Sequence, residues 1–158
     1  MINQSKTKTS IATSAIAFVF LCSMTVIASE PDFYRDPSLP DWAPFSSAVT
    51  VGDMIYVSGH LGRDPETNEL ISDDAADQTR QTFANMKRTL AGVGAALSDV
   101  VKCTVFLDDM ADYAAMNAAY AEAFPGDKPA RSTIGADGLA IGAKVEIECI
   151  AVKQSIED

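Results

Sequence analysis

The segment Lys144 to Val152, KVEIECIAV, constrains the fold more than any other part of the chain. It alternates with a period of two. Val145, Ile147, Cys149 and Ala151 fall on one side of a strand, and Glu146, Glu148, Ile150 and Val152 on the other. The first side belongs against a core. The second mixes two acids with two aliphatic residues and makes a poor solvent surface. A buried carboxylate without a partner is costly, so such acids need ion-pair partners, exposure or a purpose. Taken alone, the two glutamates fit an exposed strand face or a structural ion pair as well as they fit a site.

The segments upstream supply the rest of a sheet and its cover. Ser46 to Val51 and Met54 to Ser58 are short β-like runs around Gly52-Asp53, a two-residue hairpin turn. Asp64 to Asn68 (DPETN) is a second turn. Thr79, Phe83, Met86, Leu90 and Val93 recur at helical spacing, behind Ser72, Asp73 and Asp74 as candidate caps. Val100 to Leu107 is a strand. Asp109 can cap a second helix whose face is Tyr113, Met116, Tyr120 and Phe124, stopped by Pro125-Gly126. Ala130 to Gly135 and Lys144 to Val152 complete the order ββαβαββ. This predicts an α+β fold, a mixed sheet with two helices on one face.

Residues 1–28 differ in kind. Lys6 and Lys8 precede an apolar run from about Ile11 to Ile27, and small residues end it at Ala28, which is the layout of a signal peptide. The run is short and interrupted for a spanning helix. The expected protein is therefore exported, periplasmic or secreted, with no stable membrane association after cleavage. Residues 29–44 read as an extended lead-in, since Glu30 to Pro44 holds four of the seven prolines and no apolar period. Trp42 and Phe45 are expected to pin it to the body. Residues 45–153 form the domain and 154–158 a short tail.

Charge excludes one class of partner. The chain carries −10, and loss of the leader leaves ten basic against twenty-two acidic residues, a charge of −12. Such a chain repels phosphate backbones, so nucleic acid is not an expected partner. Cys103 and Cys149 lie outside any CxxC, and a single histidine, His60, cannot complete a usual zinc set with them, so no metal is implied. Both cysteines are expected as free thiols, small apolar residues in strands, although an exported protein could oxidise them if the strands place them together. His60, alone after Ser58-Gly59, reads as structural. Arg131 opens the strand ARSTIG, the only arginine after Arg88. Its guanidinium followed by two hydroxyl residues suits a planar carboxylate, although an isolated arginine fits a surface position as well.

Longer motifs settle the choice. YVSG at Tyr56 to Gly59, Gln78-Thr79-Arg80-Gln81, VVKCTVFLDDM at Val100 to Met110, MNAAYAEAF at Met116 to Phe124 and KPARSTIGADGLAIGAKVEIECIA at Lys128 to Ala151 resemble the reactive intermediate deaminase (Rid, or YjgF) family, in its RidA-like branch. The likeness spans about Ala43 to Val152. It implies a chorismate-mutase-like fold and a homotrimer with clefts between subunits. It also implies roles: Arg131 as the carboxylate clamp, Glu146 as the acid handling the attacking water, and Gly59 as backbone facing the ligand. Thr133 would lend a backbone N–H, and Asn117, Tyr120, Ser58 and Phe45 would line the cleft. Phe45 stands where many members carry tyrosine, and His60 where glutamine is common.

The implied reaction is hydrolysis of small 2-imino acids, 2-iminopropanoate or 2-iminobutanoate, to 2-keto acids and ammonia, without cofactor. The alternatives are a trimeric binder of small carboxylate metabolites without turnover, and a hydrolase of another imine-like substrate. A ribonuclease reading fits poorly with the charge.

Overall fold

A computed structural model describes residues 29–154; the expected leader and nearly all of the expected tail lie outside them. Six strands form one sheet: β1 Asp32–Tyr34, β2 Ala48–Val51, β3 Met54–Leu61, β4 Val100–Leu107, β5 Ala130–Gly135 and β6 Val145–Val152. Two helices, α1 Ala75–Gly92 and α2 Tyr113–Ala123, cover one face. The spatial order is β1-β2-β3-β6-β4-β5. Among the described residues only the β4–β5 pair is parallel, joined through α2 as a crossover. The last strand in sequence is thus central in space, between β3 and β4.

The alternation of β6 holds: Val145, Ile147, Cys149 and Ala151 are buried, and the residues between them are half-buried or exposed. Opposite them pack Phe83, Met86 and Leu90 of α1 and Met116 and Tyr120 of α2. Each such large side chain stabilises the fold by about 1.5–3 kcal/mol. Phe83, Tyr120 and Phe124 form a ring cluster with centroids 5.1–5.3 Å apart. Val93, the end of the predicted apolar row, is the C-cap of α1 and only half-buried. Asp74 caps α1 by accepting from the Asp77 N–H at 2.9 Å. Asp109 accepts from the Ala111 N–H at 2.8 Å and so caps a 3-10 turn that leads into α2. Gly52 takes φ +58° between the paired ends Val51 and Met54, as the hairpin requires.

Three expectations are corrected. The order ββαβαββ lacks one strand: residues 32–34 of the extended lead-in pair with β2 and form an edge strand. Nor do Trp42 and Phe45 pin the lead-in, for they are 81% and 48% exposed. A proline-rich segment has few N–H donors of its own, so its carbonyls need outside partners. Arg35 supplies them, donating to the carbonyls of Pro40, Ala43 and Phe45 at 2.8–3.0 Å. Buried Asp36 anchors the other end through Arg88 at 3.1 Å.

Cys103 and Cys149 are joined in a disulfide, not free. They are register partners on β4 and β6, with Cα atoms 4.1 Å apart. That adjacency depends on β6 inserting beside β4, which the order of elements along the chain does not reveal.

Candidate functional site

Glu146 sits on the side of β6 that faces away from the helices, opposite Leu61 of β3 and Phe106 of β4. Its carboxylate occupies the space above Gly59. A Cβ on Gly59 would overlap Glu146 Oε1, so only glycine permits this approach. The register of β3 against β6 breaks between Val57 and His60, and that irregularity carries Gly59 to the carboxylate. Half-burial, and secondly the charge of Glu148, raise the Glu146 carboxyl above its ordinary value.

Gly59 also lines a cavity of about 290 Å³, shared with Phe45, Ser58 and His60. Ser58 donates its hydroxyl to the Ser46 carbonyl at 2.7 Å, which ties β3 to the lead-in. His60 is structural, as expected. Its Nδ1 donates to the Ser58 carbonyl at 2.7 Å, and its Nε2 accepts from the Thr89 hydroxyl at 2.9 Å. Burial lowers its pKa, so it stays neutral and has no free nitrogen for acid–base work.

Arg131 belongs to a second cluster. It pairs in register with Cys103 and so lies on the helix-covered side of β5, which is the edge strand. Its Nη2 donates to Asn117 Oδ1 at 2.7 Å and to the Tyr113 hydroxyl at 3.1 Å. The guanidinium carbon stands 4.5 Å from the Tyr120 ring centroid and 5.7 Å from that of Tyr113. These partners are all uncharged, and among the described residues no carboxylate pairs with Arg131. Its positive charge is oriented but uncompensated, which is what capture of a carboxylate ligand requires. Tyr120 itself is buried, its hydroxyl has no partner among the described residues, and burial pushes its pKa up to about 12. Thr133, two residues along, shares the Arg131 side of the edge strand and is half-buried.

The expected residues therefore fall into two groups. Phe45, Ser58, Gly59 and Glu146 are neighbours, and Arg131, Thr133, Asn117 and Tyr120 are neighbours. Within one chain Glu146 and Arg131 lie on opposite faces of the sheet.

Two contributors were missed. Tyr113 read as a core residue of α2, yet it is 39% exposed and holds Arg131. Its place at the first turn of α2, one helical step from Asn117, was the available signal. Gln78 is fully buried, donates to the Ser72 carbonyl at 2.7 Å and accepts from the Lys144 N–H at 2.8 Å, fixing the start of β6 two residues before Glu146. Its place in the motif Gln78-Thr79-Arg80-Gln81 was the signal available in the sequence.

The chain is thus an α+β scaffold, a two-helix layer on a mixed sheet, with a glycine-seated glutamate on one side of the sheet and, on the other, an arginine without a carboxylate partner among the described residues. Residues 37–153 match the family described as Endoribonuclease L-PSP. The Reactive Intermediate Deaminase A of Arabidopsis thaliana chloroplasts is 44% identical over 108 residues, 68% of this chain and 58% of that protein. This chain thus spans little more than half the length of that relative. The 2-iminobutanoate/2-iminopropanoate deaminase of Dermatophagoides farinae is 42% identical over 109 residues, 69% of this chain and 85% of that protein. The crystal structure of the E. coli YjgF gene product superposes with a TM-score of 0.71 at 34% identity, covering 78% of this chain and 99% of the other. The chain belongs to the Rid/YjgF (L-PSP) family.

Proposed function

We propose that this chain is an imine deaminase of the RidA-like branch, hydrolysing 2-imino acids to 2-keto acids and ammonia. The names of relatives at 42–44% identity support imine deaminase activity. The observation that carries the reading is the oriented, uncompensated guanidinium of Arg131. In this mechanism Arg131 holds the substrate carboxylate and fixes the adjacent C=N bond. Glu146 accepts a proton from water as its oxygen adds to the imine carbon. Glu146 returns that proton to nitrogen to give the neutral carbinolamine, then relays the hydroxyl proton to nitrogen as the C–N bond breaks, so that ammonia leaves and the C=O bond forms.

Because Glu146 and Arg131 lie on opposite faces of one sheet, a complete site needs two copies, Arg131 of one meeting Glu146 of the next. A closed homotrimer satisfies this, since in a ring each contact joins two different patches. Tyr56, Val101 and Ile134 are exposed, and Ile150 and Val152 half-buried, on the uncovered side of the sheet, an apolar surface that suits such contacts. Light scattering should give three times the monomer mass. Ammonia release from 2-iminopropanoate, made in situ by an amino-acid oxidase, tests the activity. Binding of keto acid with no accelerated release would favour the binder instead. Export is part of the proposal: the protein from its source cell should begin near Ser29, and an intact Met1 in the cytoplasm would overturn it.

A further inference from the structure

The cavity beside Gly59 is larger than a small imino acid requires. Its volume is about 290 Å³. A cavity of about 150 Å³ lined by aliphatic and aromatic residues is enough to bind benzene, and one water occupies about 30 Å³. A substrate methyl group would leave most of this space to water.

The lining explains what it suits. Its polar groups already have partners inside the protein. Asp36 is bonded to Arg88 and Ser38, His60 to Thr89, and the Asn85 amide to the carbonyls of Leu61 and Arg63. Arg63, which donates to Asn68 Oδ1 at 2.8 Å, lines it as well, and Leu39, Trp42, Ala43, Phe45, Ala140 and Ile141 supply most of the apolar wall. Phe45 adds an aromatic face with no hydroxyl to satisfy.

Ile141 is the telling residue. It holds φ +54°, a left-handed conformation that a β-branched side chain adopts only at a cost. It is also 60% exposed, so packing in the single chain does not repay that cost. Gly138 and Gly142 flank it with positive φ, yet the strained position itself carries isoleucine and turns an apolar group to the cavity.

We propose that this cavity is a side-chain subsite, with Ile141 and Trp42 as its apolar walls, and that the favoured substrates are 2-imino acids bearing a bulky apolar or aromatic side chain. The inference rests on the deaminase reading. Gly59 is the shared wall: the cavity lies on one side of it and the Glu146 carboxylate against it. A substrate whose reacting carbon sits at Glu146 would send its side chain past Gly59 into the cavity.

The test uses the intact protein and one L-amino-acid oxidase supplied with alanine, leucine or phenylalanine. Ammonia release is followed with and without the protein, and kcat/KM is compared between imines. The phenylalanine-derived imine should exceed the alanine-derived one by at least tenfold. Ile141→Gly removes the wall and also the backbone strain, so it should fold without loss of Tm. Ala140→Trp fills the cavity from an exposed turn. Each should lower the phenylalanine-to-alanine ratio by about tenfold. If the alanine-derived imine is preferred, or if neither variant moves the ratio, the subsite is refuted while the deaminase reading stands. If no imine is accelerated, both fall.

Discussion

The carboxylate of Glu146 fills the volume that a side chain at residue 59 would need, and glycine at that position is what lets β3 and β6 hold it there. The acid is thus placed by an absence on the neighbouring strand. Among the described residues no side chain or backbone group hydrogen-bonds it, so both oxygens are without a protein partner.

Gly59→Ala should therefore damage the site before it damages the fold. The added methyl must displace Glu146 or part the strands, at about 1–3 kcal/mol of stability for overpacking. We expect kcat/KM for imine hydrolysis to fall at least tenfold, with circular dichroism unchanged. Wild-type turnover in a correctly folded Gly59→Ala protein would show that Glu146 need not occupy this place.

Arg131→Ala removes the clamp and leaves the substrate carboxylate unpaired. Loss of one partner from a desolvated charge pair costs about 2–5 kcal/mol, so activity should drop at least tenfold. Arg131→Lys should not restore it fully, because an ammonium lacks the planar fork that Asn117 and the two tyrosines orient. Glu146→Gln should abolish most turnover and spare keto-acid binding. Wild-type rates in both Arg131→Ala and Glu146→Gln would make the binder the better reading.

The pH dependence has a defined sign. Burial, and then Glu148, raise the Glu146 carboxyl, so the folded state favours its protonated form. The stability this contributes is fully present below the unfolded-state value and is lost as pH rises through the raised one. Glu146→Gln should consequently unfold at higher temperature than wild type at neutral pH. Activity runs the other way: the base must be ionised, so kcat/KM should fall on acidification at a higher pH than an ordinary glutamate would set. Glu148→Gln removes the secondary cause and should move that acid limb to lower pH, with little change at neutral pH. An acid limb unmoved by Glu148→Gln would mean that another group controls it.

The Cys103–Cys149 bridge closes a separation of 46 residues between two adjacent central strands. Reduction of the denatured protein should raise its titratable thiols by two. Replacing both cysteines with alanine should cost about 2–4 kcal/mol, read as a lower urea midpoint. An unchanged thiol count on reduction would mean that the bridge does not form.

Local chemistry along the chain determined the elements themselves. The period-two pattern of β6, the apolar row Thr79 to Leu90, the Gly52-Asp53 hairpin and the caps Asp74 and Asp109 each depend on residues within a few positions of one another. The family motifs likewise named Arg131, Glu146, Gly59, Asn117 and Tyr120, because each sits in a contiguous signature. Strand order is another matter. It is decided by which apolar faces share one core, and only there does β6 come between β3 and β4. That single placement pairs Cys103 with Cys149 and seats Glu146 on Gly59. It also puts Arg131 and Glu146 on opposite sides of the sheet, where one chain alone cannot join them. The exposed Trp42, the strained Ile141 and the cavity between them were invisible in the sequence for the same reason: their neighbours are brought from distant segments, and no local pattern encodes the space left between them.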